Sequence, residues 1–293
     1  MGQRKLAAIF SAILFLLSIG SFIIYGLNLG LDFTGGTQIE MNFQQPPDLN
    51  QVREQLNNEG FKEAVVQSYG TSRDVLIRLS PHQQYSQQQL QDAVLKAVPG
   101  ATITQIEFIG PKVGKALVTN GILAVVVSLL ATMFYIALRF EFRFAVSAAV
   151  ALIHDPVLIL GVFSIFHITF DLIALAAVLT IIGYSLNDTI VVYDRVRENF
   201  RKMRKGTPLE IVNTSINQTL SRTIMTSGLT LLVVVVLFIL GGETLRPFSL
   251  ALIIGIVVGT YSSIYIAGSL AVALGIDRTR LLPAPKTEVD DRP

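Results

Sequence analysis

Six separate runs of apolar residues, each long enough to cross a bilayer, constrain this chain more than any other feature. A helix rises 1.5 Å per residue, so ~30 Å of hydrocarbon takes about 20 residues. Residues 7–27, 116–138, 144–166, 172–193, 223–240 and 247–274 approach or exceed that length. Only 15% of the chain is charged, whereas an average soluble domain carries roughly a quarter. The first run follows Arg4 and Lys5 as a signal peptide would. It is longer than a typical h-region and no A-x-A-like cleavage site follows, so it reads as an uncleaved anchor.

Orientation follows from the basic residues. With the N-terminus cytoplasmic, the cytoplasmic segments hold Arg4, Lys5, Arg139, Arg143, the basic run from Arg195 to Lys205, and Arg222. Arg278, Arg280, Lys286 and Arg292 of the tail join them, while the short outer loops 167–171 and 241–246 hold only Arg246. The expected organisation is a cytoplasmic N-terminus and first helix (1–27) and an extracytoplasmic domain (28–115). Helices two to six (116–274) and a cytoplasmic tail (275–293) follow, so both termini are cytoplasmic.

The long external segment alternates like a small α/β domain. A strand at 37–43 ends at Pro46-Pro47. Asp48 caps a helix over 49–58 with Val52 and Leu56 at i, i+4 spacing, and Gly60 stops it. Strands at 64–69 and 75–79 flank the turn Gly70-Thr71-Ser72. Ser86 caps a second helix, 87–98, and residues 102–109 form the last strand. The order β-α-β-β-α-β is the ferredoxin-like split motif, with one sheet face left open to a partner. The fold class is thus an all-α membrane bundle of six transmembrane helices with an inserted extracytoplasmic α+β ferredoxin-like domain. Nine acids from Asp32 to Glu107 nearly balance seven bases from Arg53 to Lys115, so the domain is no nucleic-acid surface. Cysteine is absent and the three histidines lack metal-ligand spacing. No enzyme chemistry, metal or organic cofactor is therefore expected.

One helix, an external domain and five more helices resemble one half of a resistance-nodulation-division transporter, so a second, similar half is expected. Three local motifs sharpen the resemblance. Leu29-Gly30-Leu31-Asp32-Phe33-Thr34-Gly35-Gly36-Thr37 follows the first helix. The fourth ends in Gly183-Tyr184-Ser185-Leu186-Asn187-Asp188-Thr189 and continues through Asp194-Arg195-Val196-Arg197. The fifth opens at Gln218-Thr219-Leu220-Ser221-Arg222-Thr223-Ile224-Met225-Thr226-Ser227-Gly228. Together, in this order, they resemble the SecF family of bacterial protein-translocation subunits over nearly the whole chain. The segment before the first helix is short for the family.

Chemistry is sought where charge lies inside a span, because an ionised side chain at mid-bilayer costs about 2.5–3.5 kcal/mol. Two acids qualify, Asp155 and Asp188. Asp188 stands roughly 8 Å inside the end of the fourth helix, at a depth compatible with Arg222. Tyr184 shares its face and Asn187 stands at the edge, able to hold a water or bond the neutral acid. Desolvation favours a neutral carboxyl and a close guanidinium favours an ionised one. Movement of Arg222 would therefore switch Asp188 between binding and releasing a proton. The structural account of the same pair is a static brace between helices. His154-Asp155-Pro156 is expected to be a second relay site, a partner contact or a locally satisfied kink. His167 and Asp171 should be solvated at the membrane boundary, and the basic run Arg195–Lys205 should contact anionic lipid. Residues 211–220 are expected to lie along the interface before the fifth helix, and Gly35-Gly36 to turn the chain from membrane into strand.

In the SecF family the positions matching Asp188 and Arg222 are implicated in proton transport. The resemblance implies a subunit of the bacterial inner membrane that uses the proton-motive force to assist late steps of polypeptide export, with protons as coupling ion. It implies SecD, the SecY–SecE–SecG channel, an unfolded translocating polypeptide and membrane lipid as partners. Half of a proton-driven exporter of lipids or small molecules, or a passive assembly subunit, are the alternatives.

Overall fold

The computed structural model describes residues 2–61, 64–80, 87–203 and 205–276. The expected cap at Ser86 and the basic residues beyond 276 lie outside them. In chain order the elements are helix α1 (Arg4–Ile24), the short turn α2 (Leu31–Thr34), strand β1 (Gly36–Phe43) and helix α3 (Leu49–Asn58). Strands β2 (Val65–Tyr69) and β3 (Thr71–Leu79), helix α4 (Gln87–Ala97) and strand β4 (Ala101–Ile109) follow. Then come α5 (Pro111–Arg139), α6 (Phe142–Ile165), α7 (Leu172–Lys202) and α8 (Pro208–Leu240). Helix α9 (Gly242–Ser262) continues through a π-helical turn, Ser263–Ala267, into α10 (Gly268–Ala273). Six of these helices, counting α9 to α10 as one, are long and apolar enough to cross a membrane. The chain is a multi-pass membrane protein.

The strands form one antiparallel sheet in the order β2-β3-β1-β4. Alternation sends Ile39 and Met41 of β1 to one face, with Val75 and Ile77 of β3. Helices α3 and α4 cover that face through Val52, Leu56, Leu90 and Val94, all buried. Asp48 caps α3 by accepting from the Asn50 amide.

The other face carries Gln38, Glu40, Arg78, Gln105 and Glu107; Gln105 and Glu107 stay exposed, while the rest is only partly open. It roofs a cavity of about 670 Å³ over the neighbouring ends of α7 and α9. Arg78 donates to the Thr169 hydroxyl at 2.9 Å, and Tyr69 OH meets Thr244 at 3.4 Å. Burial, together with Glu107 alongside, raises the pKa of Glu40, and burial lowers that of Arg78. Asp171 is half-buried rather than solvated. It caps α7 by accepting from the Ala174 amide at 2.7 Å, and Asp32 accepts from the Leu172 amide at 2.9 Å. The unsatisfied amides of the first helical turn draw both carboxylates there.

The junction between membrane and sheet depends on Gly35 and Gly36, whose φ values of 68° and 121° L side chains rarely adopt. A Cβ on Gly36 would also strike the Leu79 carbonyl oxygen.

Two long helices correct the expected boundaries. The stretch 211–220 does not lie along an interface. It is the first part of α8, started by a capping box between Thr207 and Glu210 with Pro208 at N1. Ile211, Val212 and Ile216 are buried against Val196 and Phe200 on the extension of α7. Asn199 donates to Ser215 at 2.8 Å and to Gln218 at 2.9 Å. Packing on a facing helix removes the same apolar surface from water that an interface would. The expected loop 241–246 is also mostly helical, because Gly242 with φ 75° allows a tight reversal directly into α9.

Candidate functional site

Helix α7 faces inward with Ser185, Asp188 and Val192, spaced three and four apart. Each of the two intramembrane acids meets this face. Asp188 is 4% exposed, and the Ser227 hydroxyl of α8 donates to its Oδ2 at 3.3 Å. Thr260 of α9 donates in turn to Ser227 at 2.9 Å. A file of hydroxyls therefore runs from α9 through α8 to one carboxyl oxygen.

Asp155 of α6 is 1% exposed and more densely bonded. Its Oδ2 accepts from Ser185 at 2.5 Å and from Ser262 at 2.8 Å. Its Oδ1 lies 3.0 Å from His154 Nδ1, and His154 Nε2 bonds the Ser11 hydroxyl of α1. The close approach of α9 to α7 here passes over Gly259, where a methyl would stand 3.1 Å from the Ser185 Cβ. Three helices thus meet on one carboxyl, and α1 joins through His154. Ser262 immediately precedes the π turn, a distortion that recurs at functional sites. His154 bonds side chains, so it does not satisfy a carbonyl freed by Pro156.

Ser185 and Asp188 are three residues apart, which sets the two clusters roughly 4.5 Å apart along α7. Burying carboxyls in apolar surroundings is costly without hydrogen-bond partners. Hydroxyls suit a group that changes protonation, since they donate to a carboxylate and accept from an acid.

Arg222 does not close on Asp188. It is exposed on α8, and no ion pair joins the two within 4.0 Å among the described residues. Five residues separate Arg222 from Ser227, roughly 7.5 Å of rise, and a long side chain spans such a distance. Asn187 is exposed and turned from the cluster, and Tyr184 donates to Thr230 at 3.4 Å instead of to Asp188. Ser11, Ser185, Ser227, Thr260 and Ser262 are not singled out by sequence reasoning. The available signal is hydroxyls in apolar windows, which tend to mark helix–helix contacts in membranes. Among the described residues, no cluster of three or more metal-ligating side chains forms.

Comparison with known proteins identifies the family. Residues 89–277 match the family described as protein export membrane protein SecD/SecF, C-terminal, and residues 20–47 match the SecD/SecF GG motif. The protein translocase subunit SecF of Vibrio alginolyticus is 49% identical, over 98% of this chain and 93% of its own length. That of Pseudomonas aeruginosa is 46% identical over 100% and 97%. The crystal structure of SecDF from Thermus thermophilus, described as a translocon-associated membrane protein, superposes with a TM-score of 0.85 at 39% identity. It covers 93% of this chain, which spans 38% of that longer one. SecDF in a super-membrane-facing form covers the same 93% at 40% identity with a TM-score of 0.69.

Proposed function

The chain belongs to the SecF family of protein translocase subunits, and from that membership we propose that it uses proton influx, together with SecD, to assist late steps of polypeptide export across the bacterial inner membrane. The observation that carries this reading is Asp188, a buried acid that accepts from the Ser227 hydroxyl, itself bonded by Thr260, with Arg222 nearby and free of ion pairs among the described residues. Such a carboxyl can exchange a proton without breaking a fixed ion pair. The Asp155 and His154 cluster, one turn away, serves as a second station.

Each proton crossing ~100 mV releases about 2.3 kcal/mol, enough to bias a two-state rearrangement of helices roughly 50-fold. The strand order and two covering helices are those of a ferredoxin-like domain, which we read as extracytoplasmic. The SecY–SecE–SecG channel, the emerging polypeptide and lipid are the further partners. The test is reconstitution of the chain with SecD in liposomes. An imposed proton gradient should drive proton uptake; an assembled complex that carries no current would establish a passive assembly subunit instead.

The orientation has its own test, made simple by the absence of native cysteine. Cysteines replacing Ser72 and Lys205, both exposed, should behave oppositely in intact spheroplasts. Ser72→Cys should react with an impermeant thiol reagent and Lys205→Cys should not. The reverse pattern would overturn the placement of both termini in the cytoplasm.

A further inference from the structure

Helices α1, α6 and α10 enclose a lateral groove of about 470 Å³, distinct from the cavity beneath the sheet. Its walls are apolar, with Ala8 and Ala12 from α1, Ile153 from α6 and Leu270 from α10. Ser11 and His154 line its depth, and each is nearly inaccessible. The groove opens sideways at the level of the spans, so its occupant is drawn from the membrane.

The end away from the sheet is cationic. Three contacts tie α1 to α6: Ser11 with His154, Ser18 against Gly161, and Ser21 with Ser164. All three pairs are offset by 143 residues, so the helices run parallel and Arg4 stands level with Ser147. Arg143 is then one turn further out, roughly 6 Å along the axis. Both arginines continue the groove walls, since Arg4 precedes Ala8 by four residues and Arg143 precedes Val150 by seven. The Arg143 guanidinium lies beside Gly275, just past α10, where a methyl would stand 3.2 Å from Nη1. Neither arginine forms an ion pair among the described residues. The mouth also collects the N-terminal ends of α1 and α6, whose N-cap residues Gln3 and Glu141 make no side-chain cap. Free amides and the helix dipole favour an anion there.

We propose that this groove binds one anionic phospholipid. An acyl chain lies along the apolar walls as far as His154, and the phosphate sits between Arg4, Arg143 and the two helix ends. A zwitterionic lipid would fill the trough but gain less at the mouth. A polypeptide helix would leave the arginines and amides without a counter-charge. The site does not depend on the proton relay, so either idea can fail alone.

The experiment places a photo-reactive benzoylphenylalanine at Ala12, exposed in the groove wall, in the full chain assembled with SecD in native membranes. Mass spectrometry then identifies the adducts. The expected product is a phospholipid adduct enriched in phosphatidylglycerol or cardiolipin over the bulk membrane. Arg4→Gln with Arg143→Gln should cut that enrichment on the order of 20- to 30-fold, from two charges acting on one anionic headgroup. Arg4→Lys with Arg143→Lys should keep most of it, which separates lost charge from lost folding. A peptide adduct, or lipid adducts at bulk composition, would overturn the site.

Discussion

Asp188→Asn should reduce proton-driven export to the level seen without a gradient, while the variant still assembles with SecD. Asparagine keeps the shape of the side chain, and its amide oxygen still accepts from Ser227. Thermal stability should therefore change by no more than about the worth of one hydrogen bond, ~1 kcal/mol. What disappears is the titrating proton. Arg222→Met should fail in the same way, because the carboxyl loses the charge that resets it. The absence of an ion pair within 4.0 Å between them sharpens the double variant. A static brace would make each single change destabilising and let the double recover stability. With no brace, the coupling in stability should be near zero, while export stays lost in all three. Export restored in Asp188→Asn with Arg222→Met would exclude the relay, because no proton carrier would remain at that position.

The second large effect is structural. Gly36→Ala should destabilise the junction between membrane and sheet by about 3 kcal/mol, combining an unfavourable φ with a Cβ against the Leu79 carbonyl. Thr37 pairs with Leu79 in the β1–β3 ladder, so the disturbance enters the sheet at its first rung. Protease resistance of the sheet domain in the full chain is the direct readout, with thermal unfolding beside it. Gly20→Ala is the matched control. It lies inside α1 with nothing within 4 Å of a new methyl, and alanine is the better helix former. A Gly36→Ala chain as resistant as its control would show that the junction tolerates a side chain.

Much of this architecture is legible in the amino-acid sequence. The six spans follow from counting apolar residues, and the bounds of α3 follow from Asp48, Val52, Leu56 and Gly60. Gly35-Gly36 reads as a turn for its conformational freedom, and the φ values agree. Asp155 and Asp188 stand out because an acid inside an apolar run costs too much to be incidental. The misreadings share a cause. Residues 211–220 have the amphipathic pattern of an interfacial helix, and the same pattern suits a helix lying on α7. Periodicity states which side is apolar and is silent on what covers it. Asp171 beside the membrane reads as solvated until the N-terminus of α7 is seen to need a cap. The part of the sheet face around Gln38, Glu40 and Arg78 reads as open until the ends of α7 and α9 are placed beneath it.

By itself the sequence determined how many times the chain crosses, the order of strands and helices between the first two crossings, and which acids stand inside. Those properties are sums over neighbouring residues, since transfer free energy, capping and turn chemistry act within a few positions. Only the tertiary structure decided that Asp188 takes its hydrogen bond from Ser227 and forms no ion pair with Arg222. It also decided that Asp155 gathers Ser185, Ser262 and His154 from three helices. A hydrogen bond forms or fails within a few tenths of an ångström, set by the crossing and rotation of helices far apart in sequence, and hydropathy and spacing hold no record of either.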